Sequence, residues 1–168
     1  MTAAERRDMV AKLAAHRKEL LDIVDTHDDA WFAERAKEGD RTRKGMLKHL
    51  AEAEHSYIEV WAKRARDEDN PNLGNRGSIG TAPLLDEALK LSLAELRQRL
   101  DEQRVRTLQF IAETGDGEME RPIHGTPFGT LTVKQCVKSM YRHDRMHIEE
   151  MLGKPQSYDI RTRDGTKV

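Results

Sequence analysis

Apolar residues recur at spacings of three and four along four long stretches of this 168-residue chain. That period restricts the fold to packed amphipathic helices. In residues 5–25, Met9, Leu13, Leu20 and Val24 mark helix one. Helix two is expected from about 42 to 66, with Met46, Leu50, Ala53, Tyr57, Ile58 and Trp61 as its buried stripe and Glu52, Glu54, Lys63 and Arg64 mostly outside it. Between the two, residues 26–40 read as loop with one helical turn, folded back onto the bundle by Trp31 and Phe32.

A breaker-rich segment at 67–81 follows, holding Asn70, Pro71, Asn72, Gly74, Asn75, Gly77 and Gly80. It is long for a bundle connection, which favours a crossover over simple up-down-up-down order. Residues 83–113 are helical in pattern, but Ser92 and Glu95 have capping-box spacing, so a short helix is expected before a long one. Helix four, at 133–152, opens with a Thr132/Gln135 capping box and a Leu131/Cys136 staple, and Gly153 and Pro155 end it. The expected fold is therefore all-α: a four-helix bundle over 1–153 with a long crossover between helices two and three, then a flexible polar tail at 154–168.

Charged residues make up 35% of the chain and hydrophobic ones 37%, as suits helices with one apolar stripe and a solvated opposite face. Lysine and arginine number 29 against 30 acidic residues, so no net field attracts nucleic acid or an anionic membrane. No apolar run approaches a signal or membrane segment, and a soluble, cytoplasmic protein is expected. The single cysteine, Cys136, excludes an internal disulfide or a thiolate cluster within one chain, and its apolar helical position assigns it to core packing rather than nucleophilic chemistry.

Seven histidines remain. His143 and His147 are four residues apart on one face of helix four, the face that Met140 and Met151 turn toward the core. His49 lies in helix two with Met46, Ala53 and Tyr57 at helical spacing, so it too should look inward. Three neutral imidazoles on two facing helices suit zinc, nickel or iron and leave coordination positions open for water or substrate. The alternative is a set of satisfied core or rim histidines. His16 reads as core or rim, His55 as solvent-exposed because it is rotated roughly 240° from His49, and His27 and His124 as loop residues. Glu52 or Asp144 could take the second nitrogen of a ligating ring, although a solvated or structural role suits both. Trp31, Tyr57, Trp61 and Tyr141 suit either an aromatic wall beside the metal or ordinary packing, while Arg64, Arg142 and Arg145 suit a solvated face better than an anionic cofactor site.

The run Leu47, Lys48, His49, Leu50, Ala51, Glu52, Ala53, Glu54 resembles the histidine-bearing second helix of the DinB-like superfamily. The run Phe128, Gly129, Thr130, Leu131, Thr132 followed by His143, Asp144, Arg145, Met146, His147 resembles its closing helix. The likeness extends from helix one to about Leu152. It implies a four-helix bundle, often dimeric, with a divalent metal on His49, His143 and His147. It also implies action on a small molecule, either as a transferase or isomerase using a low-molecular-weight thiol or as a metal-dependent hydrolase; other members are of unknown activity. The mycothiol-dependent maleylpyruvate isomerase branch is similar in layout but carries a glutamate where His143 stands. On this basis the expected function is activation of a thiol or water by the metal, a thiol S-transferase being slightly preferred. The competing expectation is a non-catalytic, dimerising bundle whose metal is structural or absent.

Overall fold

A computed structural model describes residues 1–36, 41–73 and 84–157, with only the backbone at 84–86. The element order is α1 (Ala3–Thr26), α2 (Asp29–Ala33), α3 (Arg43–His55), a π-helical segment (Ser56–Ala62), α4 (Lys63–Asp67), α5 (Leu84–Leu89), α6 (Leu93–Glu113), a 3-10 turn (Glu118–Glu120), β1 (Pro122–Thr126), β2 (Gly129–Thr132) and α7 (Val133–Met151). Three helices start on capping boxes, Thr2/Glu5, Ser92/Glu95 and Thr132/Gln135, so two orphan backbone N–H groups are satisfied at each start. Helix α7 stops where Gly153 takes a φ of 63°, a left-handed conformation that glycine adopts without steric cost.

Helix two departs from a regular α-helix in the middle. From Ser56 to Ala62 the bonds widen to the π pattern, the N–H of Lys63 reaching the carbonyl of Ile58. Tyr57, Ile58, Trp61 and Ala62 all stay buried through this stretch, and the Tyr57 and Trp61 rings lie 4.2 Å apart. The segment around 122–132 is also more ordered than a loop: β1 and β2 form an antiparallel hairpin pairing Ile123 with Leu131 and Thr126 with Gly129. The first residues after helix two join it, with Leu73 N–H donating to the His124 carbonyl at 2.8 Å and His124 N–H to that of Pro71 at 3.0 Å.

Cross-helix bonds fix the directions. Helix α1 runs parallel to α7, since Glu5 faces Lys134 and Glu19 faces Arg145. It is antiparallel to α6, where Arg6 meets the Thr114 carbonyl and Arg17 that of Leu100. Helix α3 is antiparallel to α7, Arg43 bonding the Met151 carbonyl while His49 meets His143. It is parallel to α6, Lys44 bonding the Leu91 carbonyl and Glu54 receiving Thr107. The order is up-down-down-up, so the connection from α4 to α6 must return along the bundle, as its length anticipated. Residues 74–83 of that connection and 158–168 of the expected tail lie outside the described residues. In the described part of that tail, Ser157 is exposed and donates to Glu149 through both N–H, 2.7 Å, and Oγ, 2.6 Å. No described helix is long and apolar enough to cross a membrane.

The core has two apolar halves. One gathers Met9, Leu13, Tyr57, Trp61, Phe110, Cys136 and Met140; the other gathers Leu20, Phe32, Met46, Leu50, Leu100, Ile148 and Met151. Between them lies a layer of four buried charges, one from each long helix: Arg17, Glu54, Arg104 and Asp144, exposed by 4, 2, 6 and 2%. Arg17 donates to Glu54 at 2.6 Å and to Asp144 at 3.2 Å. Arg104 donates to Glu54 and to Asp144, each at 2.8 Å. Thr107 Oγ1 adds a bond to Glu54 at 2.6 Å, and the two guanidiniums also reach the carbonyls of Leu100 and Leu13. Glu54 is thus not on the solvated face where its charge placed it.

Breaking a buried, fully bonded charge set leaves the remaining charges uncompensated. Glu54→Ala should therefore cost about 3–5 kcal/mol in urea unfolding. Lys18→Ala, which removes an exposed i,i+4 partner of Asp22, should cost no more than about 0.5 kcal/mol. Equal losses in the two variants would contradict a structural role for the layer.

Candidate metal centre

The three histidines singled out in the sequence converge. His49 Nε2 and His147 Nε2 each lie 3.1 Å from His143 Nε2, and the ligand atoms of all three rings fall within 4.8 Å of one another. His49 and His147 are buried and His143 is partly exposed. Helix α3 supplies the first ring, and one face of α7 supplies the other two, one turn apart.

His147 Nδ1 is 2.6 Å from Glu150 Oε2. That carboxylate holds the Nδ1–H tautomer and leaves the Nε2 lone pair aimed at the other two rings. A single N–H on His143 Nε2 can satisfy only one of its two 3.1 Å contacts, so the three nitrogens face one another with an excess of lone pairs. A cation relieves that excess. Two imidazole nitrogens on one tetrahedral ion at roughly 2.0–2.1 Å stand about 3.3 Å apart, close to the spacing seen. The donor set therefore fits a divalent transition metal. Burial, then His147 and Arg41, push His49 down from 6.5 to about 3. Burial, then His147, His49 and Arg41, hold His143 well below its ordinary value. Both rings are neutral at physiological pH, the state in which imidazole ligates.

The outer carboxylate differs from both sequence candidates. Asp144 points into the charge layer, where Arg17 and Arg104 outweigh burial and keep its pKa low. Glu52 Oε1 pairs with Lys48, and its Oε2 has no hydrogen-bond partner among the described residues. The i,i+3 spacing of His147 and Glu150 was the signal available for the partner the structure shows. The aromatic residues pack rather than form a wall: Tyr57 and Trp61 belong to the core, and Trp31 stacks between His27 at 3.9 Å and Arg43 at 4.0 Å. Arg64 pairs with Glu68, and Arg145 with Glu19 and Glu149. His16 is partly buried near Glu19, His55 is exposed, and His124 bridges Asn70 and Thr130.

A sequence profile of the DinB superfamily matches residues 12–151. The chain belongs to the DinB superfamily. Among curated proteins none matches. Its fold is shared with YfiT from Bacillus subtilis, described as a probable metal-dependent hydrolase with an unusual four-helix bundle topology: TM-score 0.74, 17% identity, 91% of this chain and 87% of that one. TT2238, a four-helix bundle protein, gives a TM-score of 0.66 at 23% identity over 89% of this chain and 99% of the other. The mycothiol-dependent maleylpyruvate isomerase gives 0.71 at 14% identity over 87% of this chain, which spans only 60% of that enzyme. At these identities the likeness is one of fold. Within the DinB superfamily, then, this bundle brings His49, His143 and His147 to one point.

As pH falls below 6.5, the unfolded chain takes a proton at His49 that the folded chain refuses until about 3. Metal-free protein should therefore lose about 1.4 kcal/mol of stability per pH unit at this ring over that window. His49→Gln should show a slope smaller by about one proton. Urea unfolding of chelator-treated protein between about pH 6.5 and 5 measures both slopes, and identical slopes would contradict the buried neutral ring.

Proposed function

We propose that this DinB protein is a metal-dependent enzyme in which His49, His143 and His147 hold one divalent ion, zinc or nickel foremost and iron next, and a water or low-molecular-weight thiol becomes the nucleophile toward a small electrophilic substrate. The observation that carries this reading is that the Nε2 atoms of His49 and His147 each lie 3.1 Å from that of His143, with no fourth His, Cys, Asp or Glu joining them among the described residues. When bound, the ion supplies Lewis acidity that lowers the pKa of a coordinated water or thiol to near neutrality. The protein's own contribution is positional. Glu150 fixes the tautomer and tilt of His147, the charge layer behind Asp144 anchors helix α7, and the partly exposed edge of His143 faces the solvent from which a substrate arrives.

Water as nucleophile is supported by the hydrolase description of YfiT, and a thiol by the mycothiol-dependent relative. The open three-histidine set serves either. One observation favours a second reading, a non-catalytic bundle that merely holds its metal. The cavity between α3 and α6 is lined by Ala51, Glu52, His55, Ser56, Arg99, Glu102, Gln103 and Arg106, and by none of the three histidines.

Elemental analysis of purified protein should find about one transition-metal ion per chain. A His143→Ala/His147→Ala variant should carry essentially none, and equal metal in both would end the proposal. The loaded protein is then assayed with electrophiles in water and with common cellular thiols. Turnover that vanishes in the double variant supports the enzyme, and bound metal without turnover across the panel supports the second reading.

A further inference from the structure

Arg41 stands one residue before Thr42, whose side chain caps the start of α3. Helix α3 is antiparallel to α7, and Arg43 Nε donates to the Met151 carbonyl at 3.2 Å. Residues 41–43 therefore lie beside the end of α7, where His147, Glu150 and Met151 fall within about one turn of one another. The Arg41 charge is felt on both helices. After burial and the neighbouring rings, it helps to hold His49 and His143 neutral. Burial raises the Glu150 carboxyl, yet the hydrogen bond and charge of His147, and then Arg41, bring it below its ordinary value. The guanidinium thus lies beside the histidine cluster.

Other cations at this end of α3 are engaged. Arg43 meets the carbonyls of Met151 and Trp31 and the carboxylate of Glu34, Lys44 meets the Leu91 carbonyl and Asp29, and Lys48 meets Glu52. Arg41 is half-buried and makes no hydrogen bond or ion pair among the described residues. Glu150 is bonded to His147 Nδ1 at 2.6 Å instead. Three neutral imidazoles bring no charge to set against a divalent ion, and Arg41 cancels Glu150. The loaded site therefore keeps both positive charges of the ion, of which a coordinated hydroxide or thiolate removes one. The other is costly in partly buried surroundings unless an anion meets it. A carboxylate carries the single charge required, and its two oxygens match the fork of a guanidinium.

We propose that Arg41 selects what the three-histidine site accepts: its guanidinium takes the carboxylate of a small molecule, substrate or thiol, whose reacting atom lies at the ion. This rests on the reading of His49, His143 and His147 as ion-holding. It goes beyond that reading by giving the site a ligand class, small carboxylates, and a specificity-determining residue outside the ligand set.

The experiment loads the full chain with cobalt(II) and titrates it with mercaptoacetate, 3-mercaptopropionate and 4-mercaptobutyrate, each beside its neutral amide. Binding is read from the thiolate-to-cobalt absorption at about pH 8, where a coordinated thiol has lost its proton. At least one acid should bind about tenfold or more tightly than its amide. In Arg41→Gln that preference should fall to about twofold or less, and Arg41→Lys, which keeps the charge without the fork, should fall between. Both variants should still take up about one cobalt ion per chain, because Arg41 is not a ligand. An acid preference of the same size in Arg41→Gln shows direct chelation by the ion and overturns the proposal. So does the absence of any acid preference, or of any thiolate band, in cobalt-loaded protein, and either result leaves the ion-holding reading in place. Failure of the native chain to take up cobalt overturns both.

Discussion

Four buried charges, one from each long helix, must meet before this bundle can close. Arg17, Glu54, Arg104 and Asp144 neutralise one another in a layer that apolar residues seal from above and below. Such a layer is a weak source of net stability, because desolvating four charges offsets much of their attraction. Its strength is selectivity. A helix slid by one turn, or inserted in the opposite direction, would strand a guanidinium or a carboxylate in the core at a cost of several kcal/mol. Apolar stripes alone tolerate such slips more readily.

The three-histidine cluster inherits its geometry from that layer. Asp144 adjoins His143 in α7, and Glu54 follows His49 by five residues in the same helix. Registering the carboxylates against Arg17 and Arg104 therefore also registers the imidazoles against one another. Nε2 atoms 3.1 Å apart on two different helices require axial placement to a fraction of a helical rise, which is 1.5 Å per residue. The bonds from both arginines to both carboxylates supply that placement without any contact to the rings themselves.

Much of this was legible in the sequence because it rests on local rules. Period 3.6 located the helices, capping boxes marked the starts of α6 and α7, and inward stripe positions picked out His49, His143 and His147. The long linker anticipated the parallel pairing of α3 with α6. What escaped rests on partners distant in the chain. Glu54 carries a charge and so read as solvated; its burial follows from arginines 37 and 50 residues away. The hairpin at Pro122–Thr132 lacks alternation long enough to signal strands, and β1 is secured by backbone bonds to Pro71 and Leu73 in the linker. The π segment at Ser56–Ala62 changes hydrogen bonding without disturbing the apolar stripe, so the pattern of residue types does not reveal it. Glu150 went unremarked because a glutamate at the end of a charged helix looks like any other.

The parallel pairing of α1 with α7 also governs the order in which the molecule is assembled during synthesis. Arg17 finds Asp144 across 127 residues of chain. At about 5–20 residues per second, the ribosome makes the second of these roughly 6–25 s after the first. Helix α1 therefore leaves the ribosome with an arginine and an apolar stripe whose chief partner does not yet exist. Closure of the charge layer therefore waits until α7 has been made, in contrast to bundles whose neighbours in space are neighbours in sequence and can zip up as they emerge.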